Sequence, residues 1–249
     1  MTHFLATLLL AAQVTTAPPV TLAPVLPADT KPLYRTHYAP DCGDWRAARE
    51  GTVEDSRLRF EIYKRWVLGY ISGFNAVGPD QTGDLLGETA PELVYDAIDG
   101  YCERNPSYSV VDAMHPIADA LIRRRQSGPL AATDGRSRRA TFLAVTTCQE
   151  WTRDREDSIL RLAHVTTIWG YLTAYNRYSS DPAGDAIGAD DALLEPGIDT
   201  WCAANPSSLT IGAIAPLIAH VAAERAAGRI PPGGMRPGET FSPGSSAEP

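Results

Sequence analysis

The side chains of this chain best suited to chemistry are its cysteines, histidines and acids. Their spacing argues against most of the reactions such groups perform. Cys42, Cys102, Cys148 and Cys202 form no Cys-x-x-Cys pair and no Cys/His cluster, so the ligand spacing of a metal site is missing. His37, His115 and His164 are scattered, as is His220. No GxSxG, HExxH, GxxxxGK[ST] or GxGxxG run occurs, which removes the usual signatures of nucleophilic, zinc-dependent and nucleotide-dependent chemistry. Acids cluster at Asp80, Asp84 and Glu88, and again at Asp181, Asp185, Asp190 and Asp191. Their spacing does not fit an EF-hand, and they read as solvated loops. The expectation is a chain without catalytic residues, metal or cofactor.

What the sequence does carry is an internal repeat. Cys42-Gly-Asp-Trp45, with Arg49, recurs as Cys148-Gln-Glu-Trp151, with Arg155. Gly69-Tyr70 to Phe74-Asn75 recurs as Gly170-Tyr171 to Tyr175-Asn176. Ile98-Asp99-Gly-Tyr101-Cys102 leads to Asn105-Pro106-Ser107, just as Ile198-Asp199-Thr-Trp201-Cys202 leads to Asn205-Pro206-Ser207. Two units follow, 41–126 and 140–227. No histidine is shared between them: His164 faces Tyr63, His115 faces Ala215 and His220 faces Ala120. Asp99 and Asp199 are shared, but each reads as a lone acid without a repeated base, whereas acid–base catalysis needs a second positioned group. Four cysteines allow three pairings. Because each unit owns two at matching places, Cys42–Cys102 and Cys148–Cys202 are the natural pairs.

The periodicity of both units is helical. Ile62, Tyr63, Trp66, Val67, Tyr70, Ile71 and Phe74 form one apolar face of a helix expected from about Glu54 to Asn75. Arg57, Glu61 and Arg65 share another face at pairing distance. The counterpart is expected from about Asp157 to Tyr178. A third helix precedes each second cysteine. Thr89 and Glu92 suggest a capping box with Pro91 in the first turn, and the Asn-Pro steps end this helix in both units. Pro196-Gly197 predicts a shortened or broken second copy. A last helix contains Pro116 or Pro216 and is expected to kink at the same place in both units. No segment reads as a strand. The expected fold class is therefore all-α: two tandem bundles of about four helices, each stapled by one disulfide.

The remaining segments set the compartment. Residues 1–17 read as a cleaved signal peptide, with an apolar run from Phe4 to Ala12 and Thr15-Thr16-Ala17 at its end. This run is too short to span a bilayer, so no stable membrane anchor is expected after cleavage. Residues 18–40 are Pro-rich, residues 228–249 are rich in Gly, Pro and Ser with almost no apolar content, and both are expected to be extended or disordered. Residues 127–139 form an Arg-containing linker. The chain is expected to be periplasmic or secreted, which suits disulfides. A net charge of -8 argues against nucleic acid as a partner.

Gly69-xxx-Gly73 and Gly170-xxx-Ala174 would let another helix approach closely. Tyr70, Phe74, Asn75, Tyr171, Tyr175 and Asn176 are the candidate binding residues, because Tyr and Asn offer apolar area together with hydrogen bonds. The competing reading places the aromatics in the core, with Asn closing the helix.

The paired cysteines, the Gly-Tyr helix ending in [FY]-N and the I-D-x-[YW]-C-x-x-N-P run resemble small exported helical proteins of proteobacteria. They look similar to immunity proteins that neutralise type VI secretion amidase effectors, and more remotely to HdeA-type periplasmic chaperones. The resemblance covers both units and implies a non-enzymatic partner-binding protein, with another protein as partner. An acid- or envelope-stress chaperone is the alternative it implies, and a hydrolase is the third reading. The duplication departs from the usual single unit, and Ala174 in place of Gly73 puts equal activity of the two copies in doubt.

Overall fold

A computed structural model describes residues 36–78, 84–127, 141–179, 186 and 193–227. The expected signal segment and the tail lie outside the described residues, as does most of the Pro-rich stretch and of the Arg-containing linker. Among the described residues there are no strands, only two isolated bridges, and no helix is long and apolar enough to cross a membrane. The helices are α1 (Cys42–Glu50), α2 (Glu54–Val77), α3 (Pro91–Arg104), α4 (Val110–Ser127), α5 (Cys148–Asp154), α6 (Ser158–Tyr178), α7 (Leu194–Ala204) and α8 (Ile214–Ala226), with a 3-10 turn at Thr210–Ala213 before α8.

Local chemistry explains most boundaries. The carboxylate of Asp41 accepts the Asp44 N–H at 2.7 Å and opens α1. Thr147 and Glu150 form a reciprocal capping box on α5, and the Asp157 carboxylate accepts from Ile159 and Leu160 to open α6. Each satisfies N–H groups that the helix itself leaves unpaired. The expected Thr89–Glu92 box is corrected. The N-cap of α3 is Ala90, without a side-chain bond, and Pro91 takes the first helical position. Thr89 therefore sits one residue too early, and its N–H bonds Leu86 O in the preceding turn. Asn105 and Asn205 end α3 and α7, each sending its backbone N–H and its side-chain amide to one carbonyl, Tyr101 O or Trp201 O.

The chain then turns and pairs with the residues just before α1 or α5. Cys42 N–H bonds Tyr108 O and Val110 N–H bonds Pro40 O, while Cys148 N–H bonds Ser208 O and Thr210 N–H bonds Thr146 O. The same corner carries the disulfides Cys42–Cys102 and Cys148–Cys202. Closing loops of 60 and 54 residues is worth about 4 kcal/mol each on the chain-entropy model.

Pro196-Gly197 shortens its helix without breaking it, because Pro196 falls in the first turn of α7. The equivalent prolines of the last helix behave differently, contrary to expectation. Pro116 lies inside a continuous α4. In the second unit the helix is split, and Pro216 sits in the first turn of α8 after the 3-10 segment. Proline lacks the N–H that an interior position uses, so a first turn accepts it at no hydrogen-bond cost. Glu61 pairs with Lys64 rather than as the four-residue steps suggest.

Two apolar clusters follow the repeats. One gathers Trp45, Trp66, Tyr70, Phe74, Ile98 and Met114, and the other Trp151, Ile168, Leu172, Ile198, Leu217 and Val221. They meet along α2 and α6, the most extensive helix contact among the described residues. Ala174 of α6 belongs to the first cluster, and Trp169 packs against both.

Candidate functional site

The six candidate residues lie on α2 and α6, the two helices that pack against each other. Gly69 lies against the carbonyl of Thr167, Gly73 against that of Tyr171 and Gly170 against that of Trp66. From Gly69–Thr167 to Gly73–Tyr171 the touching positions advance in the same direction along both helices, so the pair runs parallel. A Cβ at any of these glycines would collide with backbone. Ala174 replaces the glycine of the first copy without harm because it faces Gly73, where one methyl fits.

At these positions the structure has the aromatics inside, in line with the competing core reading. Tyr70, Phe74, Asn75, Tyr171 and Asn176 are buried and Tyr175 is half-buried. The Tyr70 hydroxyl lies 3.4 Å from that of Tyr178, whose ring meets Phe74 edge-on at 4.7 Å. Tyr171 packs beside Tyr175, and burial, reinforced by Tyr175, pushes its phenol up to about 12. It therefore stays protonated at neutral pH. The asparagines do more than close helices. Asn75 donates to Thr141 O at 2.7 Å and accepts from Leu85 N–H at 2.6 Å. Asn176 accepts from Ala186 N–H at 2.8 Å and turns its amide nitrogen to His37 Nε2 at 3.3 Å.

These bonds belong to a reciprocal arrangement that sequence reasoning missed. The strap before α5, residues 141–146, lies on α2 of the first unit, where Leu143 N–H donates to Ser72 Oγ at 2.7 Å. The strap before α1, residues 36–41, lies on α6 of the second unit, where His37 N–H donates to Thr173 Oγ1 at 2.9 Å. Trp66 Nε1 also donates to His37 O at 2.7 Å. Both straps bend at matching residues with left-handed backbone, Tyr38 (φ 45) and Ala144 (φ 52). The sequence signal was present in Ser72/Thr173 and Asn75/Asn176, but nothing local says that each serves the other unit.

Asp99 and Asp199 are likewise not lone acids. Asp99 accepts from Trp45 Nε1 at 2.7 Å and from Arg49 Nε at 3.1 Å. Asp199 accepts from Trp151 Nε1 at 2.8 Å and pairs with Arg155 at 2.8 Å. The repeated Trp, Arg and Asp thus join the first helix of each unit to its third.

One cluster exists only in the second unit. Thr146 Oγ1 lies 2.6 Å from His164 Nδ1, and His164 Nε2 lies 3.0 Å from Asp154 Oδ2. All three residues are buried. Arg153 grips the other side of the Asp154 carboxylate, and together with His164 it holds this group well below the usual carboxylate range. The first unit has Pro40, Ala48 and Tyr63 at the matching positions, so a search limited to repeated residues could not find the cluster. Hydroxyl, imidazole and carboxylate follow one another as in a nucleophilic relay. However, the cleft beside them, lined by Gly69, Ser72, Thr167 and Tyr171, offers about 10 Å³, the space of one water. No group of acids, histidines and cysteines suited to a metal occurs among the described residues.

The fold and its seam define a class: an all-α, two-disulfide chain in which the two copies of the sequence repeat contribute one long helix each, α2 and α6, to a parallel pair. No family model, no curated protein and no solved structure matches it.

Proposed function

We propose that the protein is a non-enzymatic, exported interaction protein that inhibits another protein in the manner of an immunity factor. The observation that carries this reading is an apolar group at the start of α6. Ile159, Leu160 and Leu162 are 46%, 43% and 41% exposed. The first unit places charges, Arg59 and Glu61, where the second has Leu160 and Leu162. Phe60 of the first unit is folded against Trp45 and Tyr95, whereas its counterpart Arg161 points to Glu195. At these two positions the first unit is charged and the second offers leucines to a partner, while ahead of α2 the first unit exposes Val53 alone at the N-cap. Many of the repeated residues are engaged in structure: disulfides, the Trp–Asp–Arg links, the glycine seam and the strap bonds.

The test is capture from envelope extract and rescue of cells from a cell-wall amidase toxin. The double variant Leu160→Arg/Leu162→Glu installs the charges of the first unit. It is expected to abolish capture and rescue while leaving the helical content unchanged. Full capture and rescue by the variant would remove the patch from the proposal, and hydrolysis of peptide or cell-wall substrates by the purified chain would replace the reading with the hydrolase.

A further inference from the structure

We propose that the strap at residues 36–41 is operated by a proton, with His37 as the sensor and Asn176 as the group that reads it. His37 is 1% exposed, and its ring faces the side-chain amide of Asn176. The orientation of that amide is fixed independently: its oxygen accepts the backbone N–H of Ala186, so its nitrogen is the atom turned to His37 Nε2. An amide nitrogen only donates. His37 Nε2 must therefore be the unprotonated, accepting nitrogen when the strap is docked. A proton at Nε2 puts two donors face to face in a buried site, and histidine is the side chain that changes charge between pH 5 and 8.

The surroundings make this contact decisive for the strap. Its other anchors include His37 N–H to Thr173 Oγ1, Trp66 Nε1 to His37 O, Val110 N–H to Pro40 O and the ring of Tyr38 stacked 3.9 Å from Trp169. Tyr38 holds a left-handed backbone, which a non-glycine residue adopts only under constraint. The titratable groups within one turn of the anchoring residues are Tyr63, Lys64, Arg65 and Tyr70 on α2, Asp112 on α4, Tyr171, Tyr175, Arg177 and Tyr178 on α6, and Tyr38 and Asp41 on the strap itself. Tyr70 and Tyr178 face each other through their hydroxyls, Arg177 lies over the Tyr178 ring, and the Asp41 carboxylate caps α1. Arg35, which precedes the strap, lies outside the described residues, as do Asp181 and Asp185 ahead of Ala186. The molecule also supplies its own control, because the second strap carries Leu143 at the position of His37 and docks through the equivalent backbone bond to Ser72. Mild acid thus releases one strap of two and uncovers the α6 side of the seam at Thr173 and Trp169. This inference is independent of the partner-binding proposal.

The experiment is hydrogen exchange on the full chain at pH 7.5 and pH 5.0, with protection corrected for the intrinsic pH dependence. Protection at residues 37–41 is expected to fall at least tenfold at pH 5.0, while residues 141–147 hold theirs. His37→Leu, the residue of the sister strap, is expected to abolish the fall. Asn176→Asp, which can accept from a protonated ring, is expected to keep the strap docked in acid. Unchanged protection of 37–41 in the wild type, an equal fall in both straps, or a fall that survives in His37→Leu would each overturn the proposal.

Discussion

The carboxylates of Asp99 and Asp199 each hold a tryptophan N–H and an arginine across two helices. Removing one strands a buried indole donor, which costs about 1–3 kcal/mol. Asp199→Ala is therefore expected to lower the urea midpoint with no change in slope, and Trp151 fluorescence provides the readout. Ala144 presents the opposite case. Its left-handed backbone strains an ordinary residue, so Ala144→Gly is expected to stabilise the fold by about 0.5–1 kcal/mol in the same measurement. Asp154 makes the pH prediction. Its folded value is lowered by Arg153 and His164, so its contribution is complete above the unfolded carboxylate value of about 4 and is lost as pH falls below it. The stability gap between wild type and Asp154→Asn is expected to stay level from pH 7 to about 5 and to narrow as the solution becomes more acid. Urea titrations along that pH series would show it.

The elements depend on one another most at the α2–α6 seam. Gly69 has a carbonyl of α6 where a Cβ would stand, and backbone cannot yield as a flexible side chain can. Gly69→Ala is expected to cost about 3 kcal/mol, at the upper end of overpacking effects, and to separate the helices. By contrast, Gly43 has only the Asp41 carboxylate near its missing Cβ, so Gly43→Ala is expected to shift the thermal midpoint by no more than 1–2 °C, about 0.3 kcal/mol. Comparing the two by thermal unfolding distinguishes a glycine needed for close approach from one that is not. The capping devices act on a smaller scale. Glu150 is held below its ordinary value by the backbone N–H and hydroxyl of Thr147, which records how firmly the α5 box is closed.

At the scale of the whole molecule, the two units clasp rather than sit side by side. Each strap crosses to the opposite unit's long helix, and Trp169 packs against both apolar clusters. Unfolding one unit would strip the other of its seam. Calorimetry of the oxidised chain is expected to show one transition, with calorimetric and van't Hoff enthalpies in agreement. Two resolved transitions would show that the seam couples the units weakly.

The order of amino acids alone dictates the helical class, the position of α2 and α6 within about two residues, the Asn-Pro stops and the cysteine pairing. These follow from short-range rules: 3.6-residue periodicity, the backbone restriction before proline, and two cysteines at matching places in each copy. It also marks Gly69, Gly170 and the Tyr/Asn set as special. What these residues are for is settled by packing between distant segments. Whether Tyr70 or Asn176 faces solvent depends on which helix lies against it, and the parallel pairing of α2 with α6 joins positions far apart in the chain that no local pattern encodes. For the same reason Asp99 reads as solitary in sequence and is held by Trp45 and Arg49 in space, and the Thr146–His164–Asp154 cluster has no counterpart in the first unit that could announce it.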